Sequence, residues 1–145
     1  MSIDNVARTL VRPPHDLAGR QTAHFATRWL EPSTAVVSAH GDLDAANATI
    51  FTEYSLTQVK HSTRLVLDLT AVTFFGTACF ATLHTLNVAC AGEGVSWALA
   101  PSKEVSRILR ICDPDATLPV CTSVREALSV ISAEARPLQL ISGSD

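Results

Sequence analysis

The chain has 145 residues, a formal net charge of -3, 47% hydrophobic residues and 17% charged residues. That length fits one domain with one real core, and the composition excludes a disordered chain. The weak negative charge gives no long-range attraction to nucleic acid or anionic lipid, and no apolar run is long enough to cross a bilayer.

Residues 1–20 read as a flexible arm. They carry Pro13-Pro14, mixed charge, no periodicity and no continuous apolar stretch of the kind a secretory signal needs. Gln21 to Leu30 predicts a strand with Ala23 and Phe25 on one face. Glu31-Pro32-Ser33 is a turn signal, and Thr34 to His40 predicts a second strand, so an antiparallel hairpin is expected. Gly41-Asp42-Leu43-Asp44 breaks that strand. Asp44 or Asp42 is the expected cap of a helix from Ala45 to Lys60, whose stripe is Ala46, Ile50, Phe51 and Tyr54.

Arg64 to Leu69 is almost wholly apolar, as expected of a strand covered on both faces near the centre of a parallel sheet. After Phe74-Phe75 and Gly76-Thr77, a helix is predicted from about Ala78 to Ala91, ended by Gly92 and Gly94. Val95 to Ala100 predicts a strand. Pro101-Ser102 opens a helix that Asp113-Pro114 stops, and Leu118 to Cys121 predicts a short strand. Ser123-Val124-Arg125-Glu126 is a capping-box pattern opening a helix through Glu134. The order β-β-α-β-α-β-α-β-α predicts an α/β domain over residues 21–134. Its sheet is mixed and mostly parallel, packed against about four helices, with a frayed tail over residues 135–145.

The four cysteines, Cys79, Cys90, Cys112 and Cys121, form no C-x-x-C pair, and three lie in strongly apolar segments. Reduced, buried thiols of a cytoplasmic protein are the expectation. The five histidines are scattered, and no pair has the helical or short-loop spacing of a zinc site. No metal or cofactor is expected on that basis; a site assembled from distant segments stays open.

Four local patterns then combine. Gly41-Asp42-Leu43-Asp44 ends the second strand, and Leu65-Val66-Leu67-Asp68-Leu69-Thr70 forms the central one. Val72-Thr73-Phe74-Phe75 is a hydrophobic stretch before a helix, and Val124 to Leu128 starts the terminal helix. In order and spacing the chain resembles the STAS domain of anti-sigma factor antagonists and sulfate-transporter tails, over residues 21–134. The resemblance implies an anti-sigma factor antagonist. Such a protein binds an anti-sigma factor, a serine/threonine kinase of the ATP-binding type, and so frees a sigma factor. The implied partner surface is Asp42, Asp44, Phe75, Gly76, Thr77 and Ala78. No nucleic acid, membrane or cofactor is implied, and weak homodimerisation is left open.

The family signature after the hydrophobic stretch is Asp-Ser-[Ser/Thr]-Gly, and its first Ser is the phosphorylated residue. Here the aligned residues are Gly76-Thr77-Ala78-Cys79. The hydroxyl survives as Thr77, while the acid and the final glycine are replaced. Thr77 is therefore the implied phosphorylation site, and its hydroxyl has a second reading as a cap for the helix it opens. Gly76 serves as a permissive backbone position, or its missing acid either alters kinase recognition or marks a constitutive binder without a switch. Asp68 reads as a structural, hydrogen-bonding carboxylate.

Two other classes compete. A module binding a small ligand or nucleotide finds no G-x-G-x-x-G and no G-x-x-x-x-G-K-[ST]. A Cys-based phosphatase needs an Arg six residues after its Cys, where this chain has Thr85, Ser96, Leu118 and Ala127, and no G-x-S-x-G elbow occurs. The chain is not expected to be an enzyme.

Overall fold

The computed structural model describes residues 5–10, 23–30 and 33–135. Five strands form one sheet in simple sequential order: β1 (Asn5–Leu10), β2 (His24–Leu30), β3 (Thr34–Leu43), β4 (Arg64–Phe75) and β5 (Ser96–Pro101). β1, β2 and β3 are antiparallel neighbours, while β3, β4 and β5 run parallel. Four helices complete the domain: α1 (Ala48–Lys60), α2 (Thr77–Glu93), α3 (Lys103–Cys112) and α4 (Val124–Ala135).

The expected α/β architecture is present, with β4 interior between β3 and β5. Alternation along the strands explains why. Ala35, Val37, Leu65, Leu67 and Leu99 face α1, α2 and α3 in the larger core, whereas Val36, Val66 and Ala98 face Ala127 and Ile131 of α4. A strand covered on both sides must be apolar at every position, which is the pattern of Leu65 to Leu67.

Three readings need correction. Asn5–Leu10, placed in a flexible arm, pairs along its length with β2, from Asn5 opposite Trp29 to Leu10 opposite His24. The edge groups of β2 would otherwise lack ladder partners; the rest of residues 1–20 lies outside the described residues. The strand expected at 118–121 shrinks to one parallel bridge between Leu99 and Val120. Pro119 has no amide to donate, and the ladder there consists of Leu99 N–H to Pro119 O and Cys121 N–H to Leu99 O. The strand expected to end at Leu69 continues to Phe75.

Helix ends follow their local chemistry. Gly94, at φ 70°, closes α2: its N–H donates to Ala91 O and that of Val95 to Cys90 O, the paired bonds of a Schellman stop. Ser102 Oγ accepts from Val105 N at the start of α3. At α4, Ser123 Oγ accepts from Glu126 N, and Glu126 reaches back to the Thr122 N–H and hydroxyl. That is the expected capping box, reaching one residue further out. The tail beyond Ala135 lies outside the described residues.

Candidate functional site

The segment before α1, the end of β4 and the start of α2 meet at one end of the sheet. Two register shifts in the β3–β4 ladder, one between Ser38 and His40 and one between Gly41 and Asp42, bring this about. Gly41 sits at φ 95°, a left-handed angle that only glycine adopts without strain. The shifts set Asp42 opposite Phe74 and Leu43 opposite Phe75. Gly76 N–H then donates to Leu43 O at 2.8 Å, so the first residue past β4 is still tied to β3.

Neither Asp42 nor Asp44 caps α1. The helix starts at Ala48 rather than Ala45, with Asn47 as the residue before it. Asp44 Oδ1 accepts from Ala46 N at 3.0 Å, a local turn that delays the helix. Asp42 Oδ1 accepts from the Thr73 hydroxyl at 2.7 Å, linking β3 to β4. The residue that organises the loop is Asn47, buried at 3% exposure. Its Oδ1 accepts from Asp44 N, and its Nδ2 donates to Asp42 O, both at 3.0 Å. Its own signal was an Asn at a helix entrance, where Asn is favoured.

Thr77 is the first residue of α2 and is exposed, as is Ala78. Its hydroxyl is not a cap, because Gly76 occupies the N-cap position and no side chain there bonds the first turn. Gly76 itself has φ -83° and ψ 161°, ordinary extended backbone. The permissive-angle reading of Gly76 therefore falls. Phe75, expected on the partner surface, is 2% exposed and packs in the core, while Phe74 is 50% exposed. Successive side chains of a strand point to opposite faces, so only one of the two aromatics can face outward.

Cys79, in the first turn of α2, is buried, and its thiol donates to Asp44 O at 3.5 Å. Burial, helped by the negative charge of Asp44, pushes this thiol up to about 12, so it stays protonated and is a poor nucleophile. Asp68 plays the structural part expected of it, with Oδ1 accepting from Thr70 N and from its hydroxyl. Beside Thr77, a shallow groove of about 290 Å³ runs between α1 and α2, lined by Ala48, Thr49, Thr52, Glu53, Ala78, Ala81, Thr82 and Thr85. The Thr52 and Thr82 hydroxyls bond across it at 2.6 Å.

One end of the domain thus exposes a hydroxyl, an aromatic ring and a small-residue groove, braced by the loop bonds of Asp42, Asp44 and Asn47. The family profile described as the STAS domain matches residues 30–127. The chain is a STAS-domain protein. Osmosensory protein A of Mycobacterium tuberculosis is 32% identical to it over 104 residues, spanning 69% of this chain and 66% of that relative. An anti-sigma factor antagonist from Mycobacterium paratuberculosis shares the fold at TM-score 0.64 and 20% identity, covering 77% of this chain and 95% of the other. The unphosphorylated form of the anti-sigma factor antagonist SpoIIAA matches at TM-score 0.62 and 13% identity, covering 75% and 96%. Among the described residues of this STAS domain, no helix is long and apolar enough to cross a membrane.

Proposed function

We propose that this STAS domain is an anti-sigma factor antagonist. It binds an ATP-binding anti-sigma kinase through the end of the domain that carries Phe74, Gly76, Thr77 and Ala78, and phosphorylation of Thr77 ends that binding. The observation that carries the reading is the exposed Thr77 hydroxyl at the first position of a 17-residue helix. The half-exposed Phe74 and the neighbouring groove supply apolar contact around it. Asp42 and Asp44 border the surface and hold its shape through their loop bonds.

The physics of the switch follows from that position. A phosphate on Thr77 sits at the positive end of the helix dipole, so it does not unfold the domain. It adds about -1.5 to -2 charges to a surface that a partner covers when neutral. Repulsion and desolvation then oppose the complex. Binding rather than turnover is the proposed mode of action, and Cys79, two residues past Thr77, is buried in the core rather than presented at this surface.

The test is incubation with the anti-sigma kinase and ATP, followed by mapping of the modified residue. Phosphate on Thr77, and its loss in Thr77→Ala, is expected. A kinase that binds the domain but leaves Thr77 unmodified makes this a constitutive binder.

A further inference from the structure

The β2–β3 register sets His24 directly opposite His40. The next pairs along the ladder are Ala26 with Ser38 and Arg28 with Val36, so the two histidines share the sheet face on which Val36 meets α4. Both imidazoles are exposed. They come from segments sixteen residues apart, which is why sequence spacing did not reveal them as a pair.

We propose that His24 and His40 form a two-imidazole chelate for a borderline divalent transition metal ion such as Zn²⁺. Directly opposed residues of antiparallel strands have Cβ atoms about 4.5–5.5 Å apart, with side chains on one side of the sheet. Two imidazole nitrogens bound at about 2.0–2.1 Å in a tetrahedral shell stand roughly 3.3 Å from each other. Two rings rising from that Cβ spacing can lean together to meet it. Imidazole suits zinc, copper and nickel, and not the hard, oxygen-seeking cations.

Among the described residues, no group of three or more His, Cys, Asp or Glu is placed to hold a metal ion. The described residues therefore supply two ligands, and the other positions fall to water or to further donor groups. Such a site binds far more weakly than a structural zinc centre, and it does not hold the fold together.

The test is a Zn²⁺ titration of the full chain, read by calorimetry and by the histidine ring resonances in NMR. One saturable site is expected, with the His24 and His40 resonances shifting together. His24→Ala and His40→Ala should each weaken it about tenfold or more, because each removes the intramolecular second ligand. His61→Ala and His84→Ala, on α1's C-terminal end and on α2, should leave it unchanged. Absence of saturable binding at millimolar Zn²⁺ overturns the proposal. So does a site that survives both strand substitutions, or one that follows His15, His61, His84 or Cys112 instead. The NMR arm uses the unaltered chain, so a variant that misfolds does not blunt the test.

Discussion

Gly76→Asp restores the acid of the STAS signature at the N-cap of α2, and the structure fixes the sign of its effect on stability. The extended backbone at Gly76, φ -83° and ψ 161°, is open to any residue and suits an N-cap. A Cβ added there would lie 3.5 Å from Phe74 Cε2, 3.6 Å from Asp44 Cα and 3.7 Å from Leu43 O, all ordinary contact distances. The first turn of α2 has no acidic residue and no side-chain cap, so a new carboxylate finds amides to accept from. Capping by Asp rather than Gly adds a few tenths of a kcal/mol. Its charge at the positive helix end adds about 0.3–1 kcal/mol, and loss of glycine's freedom in the unfolded chain about 0.4–1 kcal/mol. Repulsion from the neighbouring, half-buried Asp44 subtracts about 1 kcal/mol. The net expectation is a gain of about 0.5–1 kcal/mol, or roughly 2–4 °C in Tm. Gly76→Ala gains the chain stiffness without the cap and should lie about 1 kcal/mol below Gly76→Asp. Urea unfolding of the three proteins, followed by circular dichroism, measures this. A Gly76→Asp protein less stable than Gly76→Ala would refute the assignment of Gly76 as an uncapped helix start.

Further expectations use the same geometry. Phe74→Ala should weaken partner binding and barely move stability, whereas Phe75→Ala should cost about 3–5 kcal/mol of folding free energy; parallel unfolding and binding measurements separate the two. Asn47→Ala removes both bonds that hold the Asp42–Asp44 loop and should destabilise by about 1–3 kcal/mol in denaturant melts. Burial raises Cys79 and Cys90 from the ordinary 9.0 to about 12. The unfolded chain therefore releases these protons first, and stability should fall as pH rises from about 9 towards 12, by about 1.4 kcal/mol per pH unit for each thiol. Unfolding midpoints that stay flat between pH 8 and 10.5 would contradict it.

The sheet and the helices after residue 21 were legible because their signals are local and redundant. Leu65 to Leu67 is apolar at every position, Ser102 and Ser123 cap, and Gly94 stops α2 in a left-handed turn. Tertiary pairing decided the rest. Asn5–Leu10 becomes a strand because β2 offers it an edge, and the continuation of β4 to Phe75 depends on the shifts in the β3 ladder. At the candidate site the motif points to the end of β4 and the start of α2, but which aromatic faces outward depends on the strand's phase. That phase put Phe74 out and Phe75 in. Acids just before a helix predict caps at Asp42 and Asp44. Asn47, closer to Ala48, had the stronger claim to the helix entrance, and its side chain staples the loop.

The central claim is that a neutral Thr77 surface binds an anti-sigma kinase and that negative charge there ends binding. Titration calorimetry of that kinase with the wild-type chain, Thr77→Ala and Thr77→Glu tests it directly. Binding by wild type and Thr77→Ala is expected, and binding at least about tenfold weaker for Thr77→Glu, with a melting temperature nearly unchanged because a carboxylate suits the helix start. Thr77→Glu binding as tightly as wild type would contradict the account.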